Sequence, residues 1–317
     1  MQSCEIEWNR ISRERWQEMF AQVRRSTLLQ HFPYAQALRH TQQLGARHGV
    51  IHMSGSAVGI LQLGEVGLFG NAIHAISLDR GPLWFEGCRS AQNIENFLTS
   101  FACQFPRRLG RKRRILPEIE NSELSKTVLE HAGMKPSTTT QFYKTVWLDL
   151  AADEASLRAG LKGKWRNILS KSERSAIALE RDDRLRGLDF LLVRHEEDRR
   201  TRRYSAPSSK LMAAIIAFMA PRGEVLLLHA KLEGRVIASV LVLIHGIAAT
   251  YQIGWTSGAG RHHGAHHRLL WRAMLELKAR GVRDFDLGGL NEESAEGVSR
   301  FKSGIGGRPS TLIGMFH

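Results

Sequence analysis

Two stretches of this chain are built alike. "VIHMSGSAVGILQL", from Val50, and "LLHAKLEGRVIASVLVL", from Leu227, each carry a His shortly before a turn, a Gly in the turn and an apolar strand after it. The two turns lie about 180 positions apart, the spacing of a duplicated unit. The surroundings repeat as well, because each half reads as helix, hairpin, strand, helix, strand. Hairpin-linked strands alternating with helices argue for mixed sheets rather than a bundle or a sandwich. The expected fold is α+β, with two tandem units, each a mixed, mostly antiparallel sheet flanked by helices. The boundary falls near "LDLAADE", giving a first unit over residues 1–150 and a second over 151–317.

Individual elements follow from local pattern. "ERWQEMFAQVRR" spaces Trp16, Phe20 and Val23 as one face of a helix. "SELSKTVLEHAGMKPS" is an amphipathic helix stopped by Gly133, with Pro136 just beyond. "FYKTVWLDL" closes the first half as a strand. In the second half, long helical stretches start near Asp153 and at "SSKLMAAIIAFMA", a hairpin turns at Glu233 and Gly234, and "HRLLWRAMLELKARG" is a helix ending at Gly281.

Composition narrows the partners. Lys and Arg number 45 against 31 Asp and Glu, a formal charge of +14, which draws polyanions: nucleic acid, anionic lipid or phosphorylated small molecules. Cys4, Cys88 and Cys103 form no CxxC pair, so neither a disulfide framework nor a thiolate zinc site is indicated, and a reduced cytoplasm is the expected compartment. The charged N-terminus does not read as a secretory signal. The most apolar stretch, from Val236, is shorter than the roughly 20 residues of a membrane helix and rich in β-branched residues, so no transmembrane segment is expected, and contact with a membrane would be peripheral.

A hairpin, a strand, a loop opening a Gly-terminated helix and a further strand is the element order of the GNAT acyltransferase fold. Two such units, with "YQIGWTSGAGRHHGAHHRLLWRAMLELKARGVRDFDLGGLN" followed by "GVSRFKSGIGG" and, earlier, the basic stretch "LKGKWRNILSKSERSAIALE", resemble the Fem-type, or FemAB-like, aminoacyltransferases. Some members carry a long coiled-coil arm in the second unit; residues 181–222 leave no room for one, so the likeness is to the armless type. The resemblance implies transfer of an amino acid from aminoacyl-tRNA to an amine, most often on a peptidoglycan precursor, with no tightly bound cofactor. Related tandem proteins use other acyl donors.

Within that resemblance Lys302 takes the catalytic place. A cation there stabilises the oxyanion that forms when an amine attacks an ester carbonyl, and Gly304, Gly306 and Gly307 beside it allow close backbone approach or positive φ. The competing reading is a solvated lysine at a glycine-rich turn. Residues 260–266 fall where the fold places its pyrophosphate loop. Arg261 and Gly264 fit that pattern, whereas His266 stands in the final small position and crowds the approach of coenzyme A. His262, His263, His266 and His267 have no Cys or carboxylate among them, and no metal is expected.

Lys162, Lys164, Arg166, Lys171 and Arg174 lie on one helix with Trp165 between them, a pattern suited to backbone phosphates and a stacked base; an amphipathic helix burying Trp165, Ile168 and Leu169 reads equally well. "RRLGRKRR", residues 107–114, and "RRTRRYS", residues 199–205, are charge runs expected on a solvated face and in a loop, the former suited to a tRNA acceptor stem or a lipid headgroup. Tyr251, Trp255 and Trp271 lie around the presumed cleft, where a place in the core is the competing reading for each, and Phe301, next to Lys302, is counted with Tyr251 and Trp255 as substrate-binding. Asp284 and Asp286 share a strand face, where one could act as a base or hold Lys302.

The leading expectation is an aminoacyltransferase moving an amino acid from aminoacyl-tRNA to an amine on a peptide, a peptidoglycan precursor or a small metabolite. An acyl-coenzyme A-dependent N-acyltransferase is the alternative, and a non-catalytic protein binding RNA or a membrane surface is a third.

Overall fold

Two tight hairpin turns organise the molecule. Ser54 and Gly55 (φ 50° and 82°) and Glu233 and Gly234 (51° and 77°) occupy the left-handed region at both central positions, as the turns that match the twist of paired strands require. The computed structural model describes residues 4–138, 142–202, 206–290 and 296–317. The chain divides into two compact units, Met1–Lys144 with Ser310–His317, and Thr145–Pro309.

The first unit contains β1 (Cys4–Trp8), α1 (Arg13–Phe20), α2 (Phe32–Gln42), β2 (Gly45–Met53), β3 (Ser56–Leu68), β4 (Ile73–Gly81), β5 (Leu83–Trp84), α3 (Ala91–Gln104), β6 (Arg111–Pro117) and α4 (Glu123–His131). Its sheet runs β1-β2-β3-β4-β6, with β5 on β3. Phe97, Leu98 and Phe101 of α3 pack on Ile51, Leu61, Leu63, Ile76, Leu78 and Ile115. A separate cluster joins Trp16, Phe20 and Val23 to Val50, Ile60 and Leu83. Helices α1, α3 and α4 begin where Ser12, Ser90 and Ser122 accept a bond from the backbone N–H three residues on, which satisfies one orphan donor of the first turn.

The second unit contains β7 (Lys144–Asp149), α5 (Glu154–Gly160), α6 (Gly163–Glu173), β8 (Ala178–Arg181), α7 (Leu188–Arg202), α8 (Ser209–Met219), β9 (Val225–Leu232), β10 (Arg235–His245), β11 (Ala248–Thr256), α9 (Gly258–His262), α10 (Ala265–Ala279), β12 (Asp284–Asp286), α11 (Glu296–Gly304) and β13 (Arg308–Thr311). Its sheet runs β13-β7-β12-β11-β10-β9-β8, with Lys144 of β7 and the last two residues of β13, Ser310 and Thr311, counted in the first unit. The stretch β8-β9-β10-β11-β12 repeats the order β1-β2-β3-β4-β6, with antiparallel neighbours throughout except the last pair, β11 with β12 and β4 with β6, which are parallel. The duplication read from the turns is therefore present strand by strand. Trp165 and Leu169 of α6 and Leu269, Leu270, Ala273 and Met274 of α10 share one core with Leu226, Leu228, Val240 and Val242.

Four details depart from the sequence reading. The helical stretch expected from Asp153 is two helices, α5 and α6, broken between Gly160 and Gly163, and Ala178 and Leu179 at its end belong to β8. The strand over 144–149 does not end the first sheet; it pairs antiparallel with β12. Thr145 to Leu148 are all buried, as befits a strand with neighbours on both sides, so the unit boundary falls before Thr145 rather than after residue 150. Arg199 to Arg202, expected in a loop, end helix α7, and residues 203–205 lie outside the described residues. The charge run at 107–114 is half strand, since β6 begins at Arg111.

Candidate active site

The two parallel pairs differ in length. In the first unit β4 and β6 pair from His74 with Arg111 to Gly81 with Pro117. In the second, β11 and β12 pair only over Ala248–Thr250 and Asp284–Asp286, although β11 continues to Thr256. On its other side, β11 shifts register between its Tyr251 and Ile253 pairings with β10, and such a bulge re-aims the strand beyond it. The second sheet therefore opens after Thr250, and the candidate site lies at that opening.

The loop after β12 is shaped to enter it. Gly288 has φ +71°, and a Cβ there would fall 2.8 Å from the Tyr251 carbonyl oxygen and 3.6 Å from Lys302 Nζ. Asp286, fully buried, accepts from Gly288 N (2.8 Å) and from the Thr145 hydroxyl, which fixes the turn. Lys302 reaches in from α11. Its Nζ donates to the Gly289 carbonyl (2.8 Å) and lies 5.4 Å from the centroid of the Tyr251 ring. The side chain is only 7% exposed, which overturns the reading of a solvated lysine. Burial pushes its pKa down to about 8, with Asp286 opposing the shift.

His266 completes the group. Its Nε2 is 2.8 Å from the Tyr251 hydroxyl, and the two side chains together fill the space beside Gly254, where a Cβ would sit 2.6 Å from the imidazole. Burial first, then neighbouring His267, pushes the His266 pKa down to about 4, so the ring is neutral near pH 7 and shares one hydrogen bond with the Tyr251 hydroxyl, whose direction the tautomer sets. His267, also lowered to about 4 by burial, turns the other way. It packs on Trp165 and Phe301, at 4.8 and 4.9 Å between ring centroids. Phe301 in turn touches His266 (5.2 Å) and Trp165 (6.0 Å). Lys302, Tyr251, His266, Phe301 and Trp165 thus form one cluster built from α6, β11, α10 and α11.

The glycines after Lys302 now have an explanation. A Cβ on Gly304 would lie 2.7 Å from Trp165 Cδ1, and the Gly304 carbonyl accepts from Lys162 N (2.9 Å). Gly306 and Gly307 have φ of 92° and 88°, and a Cβ on either would meet the carbonyl of Gly160 or Trp147 within 2.6 Å. The close approaches these glycines permit are to the chain's own α5, α6 and β7.

The other expected residues sit around this cluster or away from it. Gly264 (φ +66°) caps α10 and packs on Ile168. Arg261 is exposed and donates to Thr256 O (3.0 Å). Trp165 is 3% exposed, too buried to stack on a ligand base, which leaves Lys164, exposed, and Arg166, half-buried, as the cations of α6 nearest to it in sequence. Trp255 is not brought to the cluster. It packs on Phe190 of α7 (5.0 Å), on the face opposite its neighbour Gly254, which faces Tyr251 and His266. His262 and His263 contact each other (4.9 Å), and among the described residues no group of three or more His, Cys, Asp or Glu could hold a metal. The sequence reading missed Thr145 and the pairing of Tyr251 with His266. The adjacent Gly288 and Gly289 after an acidic strand were the available signal for a tight turn there.

Residues 155–303 match the family model described as acetyltransferase (GNAT) domain. The opening between β11 and β12 and the lysine cluster both lie within that segment. FemX resembles the chain in structure, with a TM-score of 0.79 and 16% identity over 98% of this chain and 96% of its own. The chain folds as two tandem GNAT-like units. A tandem GNAT protein from the clavulanic acid biosynthesis pathway shares this arrangement, with a TM-score of 0.50 and 15% identity over 98% of both chains. The C-terminal domain of a putative lysylphosphatidylglycerol synthetase from Agrobacterium fabrum gives 0.54 and 15%, over 90% of this chain and 87% of that one. No curated protein matches in sequence. The tandem GNAT-like fold accounts for both sheets, and the second unit has the open strand pair.

Proposed function

We infer that the chain is an acyltransferase whose second unit is catalytic, and that it moves an amino acid from aminoacyl-tRNA to an amine. The observation that carries this reading is a lysine ammonium held at the mouth of the β11–β12 opening with its charge partly desolvated. The attacking amine nitrogen forms a bond to the ester carbonyl carbon. The carbonyl oxygen becomes an oxyanion, which Lys302 stabilises more strongly than bulk water would. Collapse breaks the ester C–O bond, the tRNA ribose hydroxyl leaves with a proton, and the amine nitrogen gives up its own to become the amide. Because the ester is already activated, positioning and charge stabilisation suffice. The Tyr251–His266 hydrogen bond holds the ring beneath Lys302.

The match to the GNAT domain supports acyl transfer, and the likeness to FemX extends over both units. The aminoacyl-tRNA donor is supported by His266, a bulky, buried residue beside Tyr251 and Gly254 that stands where the pyrophosphate-loop pattern has a small one. Lys164, Arg166 and Arg261 are the cations proposed to meet tRNA phosphates. The acceptor is an amine on a peptidoglycan-precursor peptide, another peptide or a small metabolite, and charged tRNA places the reaction in the cytoplasm. An acyl-coenzyme A donor is the second reading, favoured by the acetyltransferase match itself. Incubating the protein with a labelled, charged tRNA pool and cell extract tests the choice. Ribonuclease-sensitive labelling of the extract supports the first reading, and labelling from acyl-coenzyme A alone supports the second.

A further inference from the structure

One end of the first unit carries a surface that acyl transfer does not use. The β3–β4 hairpin turns through Phe69, Gly70 and Asn71, all with positive φ (50°, 62° and 68°). Leu68 pairs with Ile73 and Val66 with Ala75, so these four side chains share one sheet face. The large ones are uncovered: Val66 is 40%, Leu68 55%, Ile73 55% and Phe69, at the tip, 83% exposed. Leu109, 99% exposed, is held beside them. Arg108 donates to the carbonyls of Ala72 (3.0 Å) and Asn71, and His74 N donates to Gly110 O (2.8 Å). Single exposed apolar residues are ordinary, but a contiguous group marks an interaction site.

Cations border this group. Lys112 stands opposite Ala75 in the parallel β4–β6 register and is exposed. Arg111 donates to the His74 ring (3.1 Å) and to Pro106 O (3.0 Å). Arg113 is buried and donates to Phe105 O (2.9 Å); burial, and to a lesser extent Arg107 and Arg111, lower its pKa. The nearby carboxylates are already engaged. Glu65 takes Arg47 (2.8 Å) and His74 (2.7 Å), and Asp79 takes Arg114 (2.7 Å). An open groove of about 650 Å³ runs along the same strands, lined by Ala75, Ser77, Arg107, Arg111, Lys112 and Arg114 among others.

We propose that this end of the first unit docks on an anionic lipid bilayer, with Phe69, Leu68, Ile73 and Leu109 entering the headgroup–acyl boundary while Arg107, Arg111 and Lys112 meet lipid phosphates. A bilayer is the partner that takes both halves of the surface. Exposed aliphatic side chains at the tip gain nothing from a phosphodiester backbone, whereas the interface solvates apolar tips and cations at adjacent depths. Neither half suffices alone, since a few apolar side chains or a few charges give only weak, reversible binding. The groove beside the tip then opens toward the lipid headgroups.

Flotation of the full chain with vesicles tests this. The protein should float with vesicles of phosphatidylglycerol mixed with phosphatidylcholine, far less with phosphatidylcholine alone, and less again at high salt. Phe69→Ser combined with Leu109→Ser should lower the partition at least about tenfold through lost apolar burial. Lys112→Gln and Arg107→Gln should each lower it about fivefold. All four side chains lie on the surface, and an unchanged melting temperature would show that the variants fold. Two results would overturn the proposal: no flotation of the wild-type chain on anionic vesicles, or flotation that the Phe69 and Leu109 changes leave intact and free tRNA abolishes. The second outcome would mark a nucleic-acid surface instead.

Discussion

Replacing Lys302 with methionine separates the chemistry from the folding. Burial lowers the lysine pKa from 10.5 to about 8; by linkage the charged form costs the fold about 3 kcal/mol below pH 8. Methionine fills a similar volume without that cost. It gives up the bond to the Gly289 carbonyl, but Gly289 is exposed, so water replaces the donor and the loss stays near 1 kcal/mol. Lys302→Met should therefore be more stable than the wild type by about 2 kcal/mol at neutral pH. The sign has a second signature. The unfolded lysine keeps its proton up to about pH 10.5 and the folded one only to about 8, so wild-type stability should rise between those values and the variant should lack that rise. Transfer activity should fall by roughly 10²–10³, the loss typical of removing one group that stabilises an oxyanion. Denaturant unfolding at neutral and alkaline pH, with single-turnover transfer from charged tRNA, measures all three. A variant that is less stable than the wild type and, once folded, transfers at nearly its rate would show that Lys302 is a structural residue.

Three other outcomes follow from the same cluster. Because His266 is kept neutral down to about pH 4 whereas the unfolded ring protonates near 6.5, the free energy of unfolding should fall as pH drops through that window, by on the order of 3 kcal/mol for this residue, and the melting temperature with it; His266→Gln should flatten the curve. Gly304→Ala forces a Cβ against Trp165 at 2.7 Å and should destabilise the chain by about 1–3 kcal/mol in denaturant titration. Lys164→Gln with Arg166→Gln should leave stability within about 0.5 kcal/mol while weakening charged-tRNA binding and reducing its salt slope by about 1–2, read by filter binding over a salt series.

The duplicated hairpins were legible in the sequence because turns with two left-handed residues demand a narrow set of side chains, and Gly55 and Gly234 record that demand. Helix starts at Asp153 and stops at Gly133 and Gly281 were legible for the same local reason. Edge strands were not. "CEIEW" in β1 and "ALER" in β8 are short and charged, as edges that resist aggregation tend to be, and so lack an apolar period. Helix α7 was hidden by "EEDRRTR", whose charges satisfy one another along the helix, as between Arg199 and Glu196 (2.6 Å). The site divided along similar lines. Lys302 and its glycines stand together in sequence, and the resemblance placed them. Thr145 and Asp286 lie 141 positions apart, and nothing local to "KTVWLD" marks it as the strand that would fix the turn under the lysine. Trp255 misled because its strand carries a bulge, so spacing from Tyr251 no longer tells which face a side chain takes.

The account turns on which donor enters the β11–β12 opening, and donor binding can be measured without knowing the acceptor. The direct measurement is calorimetric titration of the wild-type chain with an acceptor-stem RNA bearing an amide-linked amino acid, which cannot be hydrolysed, against coenzyme A under the same conditions. We expect the RNA analogue to bind at least about tenfold more tightly, with coenzyme A gaining affinity only when His266 is replaced by glycine. Tight binding of coenzyme A to the wild-type chain, with no preference for the aminoacylated RNA over its uncharged form, would contradict the account.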